Sequence, residues 1–111
     1  MKPYVSQKGE FIVLTFDPQS GHEQRGRRPA LVVSNTLFNE RTGRAIVCPL
    51  TTTDRRYPFH VAVTNDPHIT GFVMVEQVKS IDYQARKAKF TGTASEEVLD
   101  TALAILDACI Y

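Results

Sequence analysis

The chain has 111 residues, of which 42% are hydrophobic and 23% charged, and its formal net charge is +1. These values are typical of one compact globular domain, residues 1–111, that can bury its own core. They exclude a membrane helix, since no apolar run approaches ~20 residues, and the start MKPYVSQKGE has no apolar signal segment. We therefore expect a cytoplasmic protein without membrane association.

Charge is unevenly distributed along the chain. All 13 basic residues lie in residues 1–93 with 8 of the 12 acidic ones, which gives this part +5. Residues 94–111 contain the other four acidic residues and carry −4. Such asymmetry is typical of a protein with one face toward a polyanion, but also of a well-solvated acidic helix.

The first half of the chain predicts three strands. The apolar, β-branched segments 10–16, 29–35 and 44–51 are too short for typical helices. Pro29 would be the first residue of the second strand, and Pro49 inside the third predicts an edge, a bulge or a bend. Segment 36–43 predicts one irregular helical turn.

The second half predicts more strands and one helix. Segment 59–64 alternates, with Phe59, Val61 and Val63 on the inner face. Segment 71–78 predicts a fifth strand, 80–86 a short helical turn, and 86–93 a sixth strand with Ala88 and Phe90 on one face.

The tail carries the clearest helical pattern. Thr93 and Glu96 fit a capping box, and apolar residues then recur every three or four positions, namely Val98, Leu99, Ala102, Leu103, Leu106, Cys109 and Ile110. Short strands followed by one helix predict a mainly β fold with a C-terminal helix, built as a small curled sheet or barrel.

Cysteine and histidine usage predicts no metal site. Cys48 and Cys109 lie far apart in apolar runs, so we expect buried, reduced thiols. The three histidines show no metal-ligand spacing with each other or with the cysteines. We predict neither a metal nor another cofactor.

The segment from Asp17 to Arg28 is the first candidate for function. It contains GHEQRGRRP from position 21 and is longer than a normal hairpin connection. Arginine suits phosphate because its planar guanidinium bonds two oxygens at once, and the neighbouring Glu23 could act as a general base or acid. A solvated surface loop with weak ion pairs is the alternative.

Two further segments carry suitable side chains. PLTTTDRRYPF, from position 49, offers threonine hydroxyls for phosphate oxygens, and Tyr57 and Phe59 for stacking on unpaired bases, although packing is the favoured role of Phe59. EQVKS, from position 76, ends a strand with Glu76, Gln77 and Lys79, and such side chains can read base edges. The alternative is that these are solvent-exposed polar residues at a strand end without a role in binding.

In this order, FDPQSGHEQRGRRPALVVSN, VCPLTT, YPF and EQVKSID resemble the MazF/PemK family of toxin endoribonucleases, also called mRNA interferases. The likeness runs from about Gly9 to the final helix. It implies a small SH3-like β-barrel of the CcdB/PemK type with a terminal helix, acting as a homodimer. It also implies metal-free, sequence-specific cutting of single-stranded RNA such as mRNA, and neutralisation by a cognate MazE-like antitoxin with an acidic, disordered tail.

The resemblance also implies roles for residues. Arg28 would assist proton transfer and stabilise the phosphorane, Thr51 would hold the scissile phosphate, and Glu23 would be catalytic or order the loop. His22 stands where some members have Ser, and we favour RNA contact over proton transfer for it. The full set of predicted RNA contacts comprises His22, Gln24, Arg25, Arg27, Thr52, Arg56, Tyr57, Glu76, Gln77 and Lys79.

Elementary chemistry supports this interpretation. Metal-free RNA cleavage uses the adjacent 2′-OH as nucleophile and leaves a 2′,3′-cyclic phosphate and a 5′-OH. It needs a proton acceptor, a proton donor and positive charge on the phosphorane. Because arginine stays protonated, we prefer charge stabilisation or acid catalysis for Arg28, with Glu23 or His22 as base.

Two other functions are compatible with this fold. A CcdB-like gyrase poison would share the barrel and helix but lack a nuclease site, and Arg28, Thr51 and the GHEQ segment argue against it. A non-cutting family member that only binds an antitoxin is the second. The modest net charge predicts a short, local footprint, a shallow salt dependence and poor cutting of duplex RNA.

Overall fold

The computed structural model describes residues 4–15, 27–64 and 66–111. Within them the chain forms seven strands, two α-helices and one 3-10 turn. In chain order these are β1 (Glu10–Thr15), β2 (Arg27–Val32), α1 (Thr36–Thr42), β3 (Arg44–Thr51), β4 (His60–Val63), β5 (Gly71–Met74), the 3-10 turn (Val75–Gln77), β6 (Lys79–Asp82), β7 (Lys89–Thr93) and α2 (Glu96–Ile110).

The strands form one antiparallel sheet in the order β4-β5-β3-β2-β1-β7, and β6 also pairs with β3. The predicted mainly β architecture with a closing helix is therefore confirmed. No helix among the described residues is both long enough and apolar enough to cross a membrane.

The central strand β3 has partners on both sides, so the edge position considered for Pro49 is wrong. One side pairs with β2, and the other pairs with β6 through Val47 and then with β5 from Leu50. Pro49 lies where the partner changes. The β3–β5 ladder is short, with only Leu50↔Val73 and Thr51↔Phe72 in register.

Alternation along the strands creates two cores. One core lies beneath α2 and contains Phe11, Leu31, Val33, Cys48, Leu50, Val61, Val63, Ile69, Val73, Val75 and Ala102. The opposite face of the sheet buries Ile12, Leu14, Ala30, Val32, Ala45, Val47, Ile81 and Tyr83. Because strand residues alternate between faces, Arg28 and Thr51 fall on the second face, just beyond its apolar part.

Helix α2 packs on the sheet as predicted, through Val98, Leu99, Ala102, Leu103 and Leu106. The predicted cap at Thr93 is wrong, because the Ser95 side chain accepts the bond from the Val98 backbone N–H. Thr93 instead ends β7 and pairs with Glu10.

Several predicted boundaries and burials are also wrong. Pro29 is the third residue of β2, because pairing with β1 extends the strand back to Arg27. Phe59 precedes β4 and is 44% exposed, since strand alternation begins only at His60. Cys109 and Ile110, both predicted on the apolar stripe of the tail helix, are exposed near the end of α2, beyond the apolar contact.

The segments around positions 36, 71 and 80 also differ from prediction. The turn expected at 36–43 is a seven-residue helix, which Asn35 caps at its start and Gly43, with φ 71°, ends. β5 ends at Met74, where the 3-10 turn begins. Residues 79–82 form β6, and turns follow only at 83–87.

Candidate active site

Arg28 and Thr51 lie near the ends of the neighbouring strands β2 and β3. The last pair between these strands is Ala30↔Pro49, and Arg28 and Thr51 each lie two residues beyond it. Both residues line one surface cleft. The structure thus brings together two of the three residues that the resemblance predicted to be catalytic, one from each strand.

The cleft has a volume of about 430 Å³. Its described lining consists of two arginines, four threonines and two apolar residues, namely Arg28, Arg55, Thr51, Thr52, Thr53, Thr70, Pro29 and Leu50. Guanidinium N–H groups and hydroxyls are donors to anionic oxygens. This part of the surface is therefore chemically suited to a phosphate group.

Thr51 is held by its neighbours. Its Oγ1 accepts a hydrogen bond from the Thr53 backbone N–H at 3.2 Å, which leaves its own O–H to donate outward. Across the sheet, Gly71 has φ +140°, and a Cβ there would lie 2.5 Å from the Thr51 carbonyl oxygen. Only glycine allows this close approach, so the backbone of Thr51 depends on the residue that begins β5.

Arg27, predicted to contact RNA, is bonded to the protein itself. Its Nη1 donates to Thr15 Oγ1 at 3.1 Å, and its Nη2 donates to the carbonyls of Val13 at 3.2 Å and Lys87 at 3.0 Å. Since adjacent strand residues point to opposite faces, Arg27 joins β1 to the turn before β7 while Arg28 reaches the cleft. RNA contact by Arg27 stays a prediction.

Sequence reasoning chose Arg56 and missed Arg55. Arg55 lines the cleft with the predicted Thr52, and Arg56 is not among its lining residues. The Arg56 backbone N–H donates to Asp54 Oδ1 at 2.9 Å, in a turn that gives Arg56 a φ of 54°. The only signal for Arg55 in the sequence was the adjacent pair of arginines. The sequence alone does not show which of the two side chains faces the cleft.

Tyr57, Glu76 and the unpredicted His60 form a second group. His60 Nε2 lies 3.0 Å from Glu76 Oε2, and the His60 and Tyr57 ring centroids are 5.2 Å apart. Residues 55 and 57 are two positions apart, so their Cα atoms are at most ~7 Å apart. Tyr57 therefore follows the cleft residue Arg55 closely along the chain. The sequence did not identify His60 as part of this group. A histidine in an alternating strand has the same sequence pattern whether or not its side chain meets a carboxylate.

Gln77 and Lys79 follow this group along the chain. Gln77 ends the 3-10 turn and is exposed, while Lys79 begins β6, opposite Val47, and is exposed as well. Their predicted contacts with RNA remain predictions.

The remaining predicted residues, His22, Glu23, Gln24 and Arg25, lie outside the described residues. The described residues that flank them, Thr15 and Arg27, pair with each other at the same end of β1 and β2 as the cleft. The choice between Glu23 and His22 as general base stays a prediction.

Neither cysteine joins the cleft. Cys48 is buried, and burial, with a smaller contribution from the negative charge of Glu76, raises the pKa of its thiol to about 12. Among residues 4–15, 27–64 and 66–111, no group of three or more His, Cys, Asp or Glu side chains could hold a metal ion.

The chain is similar to known toxins over nearly its whole length. A family model described as PemK-like, MazF-like toxin of type II toxin-antitoxin system matches residues 7–110. The endoribonuclease toxin MazF of Escherichia coli K12 is 38% identical over 107 residues, which cover 96% of each chain. The endoribonuclease toxin ChpB of the same strain is 39% identical over 112 residues, covering 94% of this chain and 93% of ChpB.

Solved structures agree with these sequence matches. MazF from Deinococcus radiodurans superposes with a TM-score of 0.87 at 36% identity, covering 97% of this chain and 98% of that one. A MazE-MazF crystal structure from the same organism gives a TM-score of 0.88 at 34% identity, covering 96% and 97%. The predicted fold class is confirmed.

Proposed function

The chain belongs to the PemK-like, MazF-like family of type II toxins, and we propose that it is an endoribonuclease that cuts single-stranded RNA, including mRNA, at short sequences without a metal ion. The observation that carries this proposal is the cleft, which Arg28 and Thr51 line together and to which the other described lining residues add hydroxyls and a second guanidinium. Donors of this kind hold a phosphodiester and stabilise negative charge that grows on it.

The proposed reaction is an internal transesterification. The 2′-oxygen of one nucleotide bonds to the adjacent phosphorus while the bond from phosphorus to the 5′-oxygen breaks. The 2′-OH proton passes to a general base, and the leaving oxygen takes up a proton. The products are a 2′,3′-cyclic phosphate and a 5′-OH.

Each described residue has a role that suits its chemistry. The Arg28 guanidinium stays protonated, so it stabilises the charged phosphorane and can assist protonation of the leaving oxygen, but it is a poor base. The Thr51 hydroxyl, with its oxygen already accepting from Thr53, donates to a phosphate oxygen. Glu23 or His22 would accept the 2′-OH proton.

We propose further that a MazE-like antitoxin neutralises the protein and that it acts in the cytoplasm as a homodimer. MazE binds MazF in the similar Deinococcus radiodurans structure, and acidic side chains of an antitoxin would complement the two arginines of the cleft. No observation favours a gyrase poison, and the similar toxins are named endoribonucleases.

A long natural RNA incubated with the purified protein in EDTA tests this proposal. We expect cuts at one short word, 5′-OH ends by sequencing, and little cutting of the same word in a duplex. Thr51→Val should reduce cutting about 100-fold, as loss of one transition-state donor does, whereas Thr51→Ser should retain most of it. Cutting that requires added Mg²⁺, or that is equal on duplex RNA, would refute the proposed mechanism.

A further inference from the structure

We propose that the outer edge of β4 docks an extended, basic peptide segment of a partner protein, which adds to the sheet as a further strand. The site is a groove of about 480 Å³ between β4 and the first half of α2, called here the β4 groove. It shares no described lining residue with the cleft. This inference therefore goes beyond the proposed RNA cleavage and does not depend on it.

The register of β4 directs some of its backbone groups to the outer edge of the sheet. The Val75 backbone N–H donates to the Phe59 carbonyl at 3.2 Å, and this pair continues the register of β4 and β5. In an antiparallel ladder, every second residue bonds to the neighbouring strand. Val61 and Val63 therefore bond to β5. The N–H and C=O of Ala62, between them, point to the outer edge, where the described sheet ends.

The two end strands of the sheet differ in how well they resist pairing with another chain. Natural sheets protect an edge strand with charged side chains, lysine above all, or with proline. β7, at the other end of the sheet, carries the exposed Lys89 and follows the exposed Lys87. β4 has no Lys, Arg, Asp, Glu or Pro from His60 to Thr64, and its Ala62 side chain is small and exposed. β4 is therefore the receptive edge.

The β4 groove has the length and the apolar surface that a strand needs. Because an extended chain rises about 3.3 Å per residue, the five residues from His60 to Thr64 offer about 17 Å of edge, which is a typical strand length. Four side chains of the core beneath α2 also line the groove, namely Phe11, Val61, Val63 and Val98. An added strand could therefore bury apolar side chains while its backbone bonds to β4.

The charge of the groove determines the chemistry of its occupant. The described lining residues include two carboxylates, Asp66 and Glu97, and neither lysine nor arginine. The Asp66 carboxylate is held in place, because its Oδ1 accepts from the backbone N–H groups of His68 and Ile69, each at 2.8 Å. Carboxylates attract basic side chains and repel phosphates and acidic side chains. The occupant is therefore a basic peptide, rather than RNA or an acidic antitoxin tail.

Strand pairing determines the role of each residue of the peptide. Residues opposite each other share a face of the sheet, so the peptide residue that bonds to Ala62 directs its side chain to solvent, as Ala62 does. The residues on either side of it lie opposite Val61 and Val63 and direct their side chains into the groove. The peptide Lys-Thr-Val-Thr-Val-Thr-Lys has this pattern, with valines for the groove and a lysine at each end for the carboxylates.

Fluorescence anisotropy with this peptide, labelled with fluorescein, tests the proposal. Binding should saturate with a Kd below about 1 mM, and a peptide with glutamate in place of both lysines should bind about tenfold more weakly. N-methylation of the three threonines removes the N–H groups that face β4 and should abolish binding, whereas N-methylation of the two valines should not. Absence of saturation, or equal binding of the two methylated peptides, would overturn the proposal.

Protein variants locate the binding site. Ala62→Pro removes an outward N–H that the β4–β5 ladder does not use, so it should abolish binding, while Ala62→Val keeps that N–H and is the matched control. Glu97→Lys should weaken binding about tenfold by reversing a charge of the groove. Asp107→Lys makes the same change at an exposed position of α2 that is not among the described lining residues, and should bind normally. Circular dichroism checks that each variant folds, and Glu97→Lys tests the site even if Ala62→Pro does not fold.

Amide hydrogen exchange, followed by NMR, distinguishes the peptide from other occupants of the edge. In the free protein the Ala62 amide should exchange faster than those of Val61 and Val63, which bond to β5, and the peptide should slow it. Slow exchange without peptide that depends on protein concentration would mean that a second copy covers the edge, and would overturn the proposal. Displacement of the peptide by single-stranded RNA would overturn it as well. None of these measurements requires RNA cutting, so a failure of the proposed function would be seen separately.

Discussion

The cleft differs in chemistry from the group of Tyr57, His60 and Glu76. The described lining of the cleft combines arginines with threonine hydroxyls, whereas this group combines two aromatic rings with a carboxylate. The first is suited to phosphate, which is the same at every nucleotide, whereas a carboxylate repels phosphate. We therefore expect the cleft to determine the rate of cutting and other residues to determine the sequence preference, and the predictions below test this difference.

Arg28→Ala should have the largest effect. Without the guanidinium that we propose stabilises the growing phosphorane charge, cutting should fall about 100- to 1000-fold, by the same factor at all target sequences. End-mapping of a long RNA with time measures both quantities. Arg41→Ala removes an exposed arginine of α1 and should cut normally. A changed word preference in Arg28→Ala would contradict the division of roles.

Arg55→Ala should have a smaller effect, of about tenfold, that depends on salt. If Arg55 contacts one phosphate, its loss should reduce the slope of log kcat/KM against log salt concentration by about 0.7. Arg56→Ala is the matched control, because Arg56 is not among the cleft's described lining residues. Equal slopes in both variants would remove Arg55 from the proposed phosphate site.

Arg27→Ala should affect stability rather than chemistry. Loss of three hydrogen bonds to Thr15, Val13 and Lys87 should lower the free energy of unfolding by about 1–3 kcal/mol, measured by urea denaturation. Cutting rates well below the unfolding midpoint should stay within a few-fold of the parent. Arg28→Ala should instead slow cutting and change the free energy of unfolding little. The two adjacent arginines therefore form a matched pair.

The smallest effect concerns Cys48, which lies in the core beneath α2 and whose pKa the Glu76 charge helps to raise. Because that pKa is about 12 and the thiolate is the reactive form, Cys48 should resist iodoacetamide up to pH 9, while exposed Cys109 is alkylated. Mass spectrometry of digests measures both. Rapid labelling of Cys48 in the folded protein would contradict a closed core beneath α2.

The sequence predicted the fold well where local pattern and tertiary environment agree. The apolar runs at 10–16 and 44–51 and the spacing in the tail correspond to β1, β3 and α2. Prediction from the sequence failed where contacts between distant parts of the chain determine the local structure. Pro49 is a central residue because β3 changes partner beside it, and Ser95 rather than Thr93 caps α2 because β7 continues through Thr93.

The candidate site shows the same limit of prediction from sequence. Arg28 and Thr51 lie in recognisable motifs, and the structure places them in one cleft. Arg55 and His60 could not be found in the same way, because a turn decides which arginine faces inward and a register decides which carboxylate a strand histidine meets. Motifs thus identified shared chemistry, while individual contacts required the three-dimensional arrangement.

The two-pair ladder between β3 and β5 has a consequence for protein engineering. Among the described strands, this ladder joins β4 and β5 to the strands that carry the cleft. β4 and β5 also supply Val61, Val63 and Val73 to the core beneath α2. Grafting the equivalent strands of another toxin should therefore leave the cleft unchanged where these valines and Gly71 are retained.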